Sequence, residues 1–265
     1  ALGAMTTGGH NTAFGKGAAD ATTTASHNSA FGSHSLGSNT TGAYNVAVGR
    51  ESLFTNTTAS NNTAIGYQSM LNNTTGTENA AGGGYALYAN TTGSYNTAFG
   101  YASLSTITTA SNLSAFGYRA LGANTSGADN DAFGYNSLRL NTTGNYNCAF
   151  GNSALYSNTT ASKSTAVGYY ALVSATSGGN NTAVGYRTLD SCTDGHDNTA
   201  VGRDALGDVS TGEKNTALST AGQAITTGQN NMCLGYNAGS SASPSGQITT
   251  GNNTICLGDN GISNL

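Results

Sequence analysis

Residues 96–104 read Asn96-Thr97-Ala98-Phe99-Gly100-Tyr101-Ala102-Ser103-Leu104, and close variants of this string recur along the chain without change of spacing. Its glycine falls at Gly15, Gly32, Gly49, Gly66, Gly83, Gly100, Gly117, Gly134, Gly151, Gly168, Gly185 and Gly202, with Ser219 in the next slot, and every interval is 17 residues. A spacing that admits no insertion over so many copies means that each copy stacks in register on the last. Loosely tethered units would drift.

Counted from the Asn as position 1, the unit reads N-T-A-[F/V/I]-G-Y-x-[A/S]-L-x-x-N-T-T-[G/A]-x-x. Large apolar residues occupy two of its positions. Position 4 holds Phe14, Phe31, Val48, Ile65, Phe99, Phe116, Phe133, Phe150, Val167, Val184, Val201 and Leu218, interrupted by Gly82. Position 9 holds Leu36, Leu53, Met70, Leu87, Leu104, Leu121, Leu138, Leu155, Leu172, Leu189 and Leu206. Two anchors per unit cannot enclose a core, but stacked units can, so these two files are the expected core column.

A 17-residue unit is too short for two packed helices and a turn; it suits one coil of an all-β parallel β-solenoid, or β-roll. Two strands per coil are expected, over positions 2–6 and roughly 10–14. Alternation along the first strand puts Ala at 3 and Gly at 5 on one face, and Thr at 2, the apolar residue at 4 and Tyr at 6 on the other. The stripped face predicts close approach by another backbone. Gly at position 5 predicts a positive φ or a tight corner. Position 15 alternates between Gly and Ala (Ala25, Ala59, Ala110, Ala161), which asks only for small size. The Asn at position 1 has two readings, a ladder of amide bonds between coils and a turn Asn bonded to its own backbone.

Composition agrees. The 265 residues include 40 Thr, 38 Gly and 32 Asn, with 37% hydrophobic and 8% charged residues and a net charge of −4. Thr, Asn and Gly are poor helix formers, and the Pro, Lys and Glu that mark disordered chains are scarce. Lys plus Arg total 8, which argues against nucleic acid as a partner. No run of 18 apolar residues occurs, so no membrane insertion is expected of this segment. Residues 1–230 read as regular repeats that open in mid-unit, as a fragment of a longer chain would. Residues 231–265 read as irregular terminal coils with an inserted loop containing Ser243-Pro244-Ser245.

The Asn-x-Ala-apolar-Gly strand on a short fixed period resembles the head region of trimeric autotransporter adhesins, whose coils stack into left-handed parallel β-rolls, three chains side by side. It is also similar to shaft repeats of phage and virus tail fibres. The resemblance runs from Ala1 to Gly258 and implies a left-handed, homotrimeric fibre. The longer coil and the frequent Phe at position 4 depart from the adhesin heads.

Catalysis needs convergent ionisable groups, and the acidic residues are few and scattered: Asp20, Glu51, Glu78, Asp129, Asp131, Asp190, Asp194, Asp197, Asp204, Asp208, Glu213 and Asp259. The group from Asp190 to Asp208 reads first as a solvated surface and second as a cation site. His10 and His27 share one slot in successive coils and are expected to stack about 5 Å apart at an exposed edge. Zinc has no supporting His or Cys spacing. Cys148 and Cys192 are isolated, whereas Cys233 and Cys256 replace the Ala of position 3 in successive coils and read as small buried hydrophobes, with a disulfide as the alternative.

Three surface arrays remain. Thr fills position 13 from Thr23 to Thr193, a pattern resembling some ice-binding faces, though Thr is also simply a good strand residue. Asn39, Asn56, Asn73, Asn90, Asn124, Asn141 and Asn158 open Asn-Thr-Thr or Asn-Thr-Ser acceptors for glycosylation. Tyr101, Tyr118, Tyr135, Tyr169 and Tyr186 form a file at position 6, suited to surface contact. No enzyme, metal or cofactor is expected. The expected function is a non-enzymatic extracellular fibre segment of a bacterial surface adhesin or virion, a homotrimer contributing to attachment to a host-surface glycan or protein receptor. The alternative is a monomeric ice-binding or carbohydrate-binding solenoid.

Overall fold

The computed structural model describes residues 1–241, 243 and 246–259; Pro244 and Ser245 of the expected inserted loop and the terminal residues 260–265 lie outside the described residues. The chain forms two compact units, Ala1–Asn130 and Asp131–Leu265. The first carries strands β1 Thr12–Phe14, β2 Ser29–Phe31, β3 Val46–Val48, β4 Thr63–Ile65, β5 Ala80–Gly82, β6 Thr97–Phe99 and β7 Ser114–Phe116. The second carries β8 Asp131–Phe133, β9 Cys148–Phe150, β10 Thr165–Val167, β11 Thr182–Val184, β12 Thr199–Val201, β13 Thr216–Leu218, β14 Met232–Leu234 and β15 Ile255–Leu257. Within each unit the strands pair in chain order, parallel and in register, Ala30 on Ala47 and Ala166 on Ala183. Each unit is therefore a parallel β-solenoid of 17-residue coils, as the period requires; β14 and β15 stand 23 residues apart.

Each coil contributes a single three-residue strand, so the expected second strand at positions 10–14 is absent among the described residues. Two consecutive tight turns take its place. The position-8 amide bonds the position-5 carbonyl (Ser35 to Gly32, 3.3 Å) and the position-12 amide bonds the position-9 carbonyl (Asn39 to Leu36, 3.3 Å). Three non-glycine slots per coil take left-handed φ, as at Glu51 (57°), Leu53 (49°) and Tyr44 (58°), that is, positions 7, 9 and 17. These residues redirect successive amides along the stack: Glu51 donates back to Ser33 (2.9 Å) and Leu53 forward to Ser69 (3.0 Å). Gly at position 5 has the expected positive φ, 139° at Gly66, and a Cβ there would lie 2.5 Å from the Gly83 carbonyl of the next coil. Conformation and crowding both demand glycine.

The interior is narrow, built of Ala and Leu with two files of buried Asn. Leu36, Leu53, Leu87, Leu104, Leu121, Leu138, Leu155, Leu172, Leu189 and Leu206 are fully buried, as expected. They face the Ala of position 3, buried from Ala30 onward, and the small residues of positions 8 and 15, Ala25, Ala59, Ala110 and Ala161 among them. The other half of the expected core column is corrected. The position-4 residues Phe14, Phe31, Val48, Ile65, Phe99, Phe116, Phe150, Val167, Val201 and Leu218 are 36–75% exposed, and Phe133 and Val184 are half-buried. The pleat that sends Ala inward must send position 4 outward, and a coil this small has no room for a ring inside.

Two Asn files occupy the core positions left over. At position 1 each side-chain oxygen accepts the amide of the equivalent residue one coil on (Asn62 N–H to Asn45 Oδ1, 3.0 Å), while the side-chain nitrogen bonds the position-15 carbonyl (Asn62 to Gly76, 2.9 Å). Both bonds run between coils, so the ladder reading holds, and the local turn-closing role falls to the Asn of position 12. At position 12 the amides chain directly, Asn73 Nδ2 to Asn56 Oδ1 (3.0 Å) and Asn90 Nδ2 to Asn73 Oδ1 (2.9 Å), and each also closes its own turn, as Asn73 does on Gly76 (2.9 Å). Buried polar groups are tolerable when their partners are in place. Where Ile107 and Ala175 occupy position 12, Oδ1 of Asn90 and of Asn158 is buried without a partner.

Candidate interaction faces

The strand of each coil presents its outer residues to solvent, and the register of the sheet lines them up. Position 4 makes an apolar file: Phe99 and Phe116 stack with ring centres 5.5 Å apart and planes 10° from parallel, and in the second unit Phe133 and Phe150 stack at 4.5 Å and 3°. Beside it, at position 6, Tyr101 stacks on Tyr118 (5.7 Å) and Tyr169 on Tyr186 (5.5 Å). Tyr101, Tyr118, Tyr135, Tyr169 and Tyr186 are all exposed, as the expected surface file. Offset aromatic stacking contributes about 0.5–1.5 kcal/mol per pair beyond burial, yet one face of each array stays wet.

Around the turn, position 7 adds residues that the sequence reading missed. Tyr85 meets Tyr67, Tyr88 and Tyr101 edge-on at 5.3–5.7 Å, and burial together with these rings raises its hydroxyl above the usual tyrosine value. Tyr85, Tyr88, Tyr101 and Arg119 line an open cleft of about 350 Å³. In the second unit Tyr169, Tyr170, Tyr186 and Arg187 line a similar one of about 360 Å³. Tyr at position 7 occurs in these two coils and marks them in the sequence.

The ionisable residues stand in small separate groups. Asp190 pairs with Arg187 at 2.8 Å in a shallow cleft shared with Asp204 and Asp208, and among the described residues no three His, Cys, Asp or Glu side chains are placed to hold a metal ion. His10 and His27 stack at 4.9 Å on an exposed edge, as expected, and Tyr44 continues the file at 4.9 Å. His196 bridges two coils, Nδ1 to Asp197 (2.8 Å) and Nε2 to Glu213 (2.9 Å). Hydrogen bonds from Gln68 and Arg50 hold the Glu51 carboxyl below its ordinary pKa.

The Thr and Asn arrays are structural. In both units the position-13 hydroxyl donates to the carbonyl of the same slot one coil on, as Thr74 does to Thr91 (3.0 Å) and Thr142 to Thr159 (2.8 Å). The hydroxyl proton is thus committed to the stack, and position 14 supplies the exposed Thr. Asn39, Asn56, Asn73, Asn90, Asn124, Asn141 and Asn158 are fully buried, so the folded coils offer none of these seven amides to a glycosylating enzyme. The acceptor motif coincides with the turn-closing Asn. No helix among the described residues is long and apolar enough to cross a membrane. Comparison with family models, with curated proteins and with solved structures returns no match.

Proposed function

We propose that this chain is a non-enzymatic structural segment of an extracellular fibre, a surface adhesin or a viral tail fibre, in which three copies associate through the outer sheet face. The observation that carries the reading is the file of large apolar side chains at position 4, still 36–75% exposed at ten of its positions. Within each unit these side chains line up coil on coil, and exposed apolar surface in such a file marks an interaction site. Its occupant must match an array that repeats once per coil, and a second copy of the chain carries the same array at the same pitch. Threefold association and a left-handed coil follow from the resemblance to adhesin heads. The Tyr file and the two tyrosine–arginine clefts are then the groups best suited to contact a host-surface glycan or protein receptor, since aromatic bodies with polar tips serve such contacts.

Mass photometry and sedimentation velocity of the purified chain test the association. A trimer is expected, and the double variant Phe99→Ser, Phe116→Ser is expected to shift it towards monomer with an unchanged far-UV spectrum, because both rings lie outside the core. A wild-type chain that stays monomeric at micromolar concentration overturns the fibre reading. Thermal hysteresis and glycan binding would then be measured on that monomer.

A further inference from the structure

Position 3 is Ala in every coil from Ala13 to Ala217, and then Cys twice in succession, Cys233 and Cys256. Strands β14 and β15 pair in parallel with Cys233 directly opposite Cys256. Neighbouring strands lie about 4.8 Å apart, inside the range of about 4.4–6.8 Å between Cα atoms that a disulfide spans. Both side chains point inward, 0% and 1% exposed.

The facing wall changes beside them, after β13 and after β14. The left-handed slot that holds Leu elsewhere holds Gly222 (φ 65°) and Gly239 (φ 76°). Gly222 keeps the bonds of that slot, donating to Ala238 (2.8 Å) and accepting from Ile225 (3.1 Å), and Gly239 accepts from Ile248 (3.0 Å). A Cβ built on Gly239 would lie 2.9 Å from Sγ of Cys233 and 3.9 Å from Sγ of Cys256. Both sulfurs therefore border the space that a Leu side chain fills in earlier coils. One larger aliphatic residue would fill that volume as well. Two thiols on adjacent strands, in a chain with four cysteines, do something an aliphatic residue cannot.

We propose that Cys233 and Cys256 form a disulfide that clamps the 23-residue coil between β14 and β15. The reaction is a thiol–disulfide exchange with a small disulfide oxidant such as glutathione disulfide. One cysteine thiolate attacks the oxidant's S–S bond and releases one glutathione thiol. The other cysteine thiolate then displaces the second glutathione, so two protons and two electrons leave the protein and the oxidant is reduced. Burial raises the Cys233 thiol to about 12, and the thiolate is the reacting form, so exchange is slow once the coil is closed. The bond forms as the coil docks.

The full-length chain is refolded from denaturant in a glutathione redox buffer, alkylated, and mapped as peptides without reduction. The expected product joins the peptides of Cys233 and Cys256, with Cys148 and Cys192 recovered alkylated. Reducing agent is expected to lower the unfolding midpoint of the wild type and to leave that of Cys256→Ala unchanged, a variant that restores the residue of the other coils. Recovery of Cys233 and Cys256 as free, alkylated or glutathione-capped thiols overturns the proposal. Chain purified natively without reductant gives a second reading that needs no refolding: the cross-linked peptide supports the clamp, and its absence counts against it. Neither reading depends on how many copies associate.

Discussion

Leu87 is fully buried and sits at φ 52°, in the left-handed region. Its column neighbours are Met70 and Leu104. Leu87→Met keeps the volume and the unbranched Cβ, so the cost should stay below about 1.5 kcal/mol. Leu87→Ile keeps the volume too but branches at Cβ, where a left-handed φ is a true outlier; the added strain is about 1–3 kcal/mol. Truncation gives the sharper test. Leu87→Ala leaves a cavity costing about 2–5 kcal/mol. Leu87→Gly removes one carbon more and would ordinarily be worse than Ala by up to about 1 kcal/mol. Here Gly also escapes the left-handed penalty of about 1–2 kcal/mol, so it should match or exceed Ala in stability. Guanidinium denaturation followed by circular dichroism, comparing midpoints at constant slope, gives the ranking. If Ile equals Met, or Gly falls clearly below Ala, this slot does not hold the backbone conformation assigned to it.

Three further outcomes can be stated. Gly66→Ala combines a φ of 139° with a Cβ 2.5 Å from the next coil's carbonyl, so a loss of roughly 2–5 kcal/mol is expected from strain and overpacking together; an unchanged thermal midpoint would contradict it. Asn73→Leu removes the donor to Asn56 and Gly76 and the acceptor for Asn90, and at about 1–3 kcal/mol per stranded buried group it should be far more damaging than Ile107→Asn, which gives the orphan Oδ1 of Asn90 a donor; equal midpoint losses in denaturant would refute the ladder. Burial holds the Cys192 thiol at about 11, while half-buried Cys148 is raised less, so iodoacetamide near pH 8 should label Cys148 first and Cys192 only on unfolding, and equal labelling rates would count against that burial.

The period, the glycine corner and the buried Leu were legible because each is a one-residue preference repeated at a fixed interval. The missing second strand was not, although a signal existed. Positions 7, 9 and 17 hold residues as different as Glu51, Leu53 and Tyr44, and no Val, Ile or Thr enters these slots between His10 and Leu206. In a chain with 40 Thr that exclusion has a physical cause, since branched Cβ atoms are barred from left-handed φ. Hydrophobicity then misled the assignment of position 4. A large apolar residue recurring in every unit reads as core by size, but strand alternation had already placed Ala on the opposite face. Both cannot point inward from a three-residue strand. The Asn-Thr-Thr acceptors failed for a related reason: the amide that makes a sequon is the group that closes the turn.

The location of the apolar surface bears on function more directly than any single contact. A coil whose cross-section admits one Leu, small residues and two amide side chains has a slender apolar column, supplemented by hydrogen bonds handed from coil to coil, as in the files through Asn73 and Thr74. Burying a Phe or Val fully is worth about 1.5–3 kcal/mol, and this fold leaves much of that unrealised in most coils, with Phe99 and Phe116 still 42% and 36% exposed. Solubility alone would favour Thr at position 4, which the composition supplies freely at position 2. Keeping Phe, Ile, Val or Leu there instead makes sense when the face is covered by something that repeats with it. On the association proposed above, mutating that file separates folding from assembly: substitutions at position 9 are expected to unfold the coil, and substitutions at position 4 to leave it folded and alone.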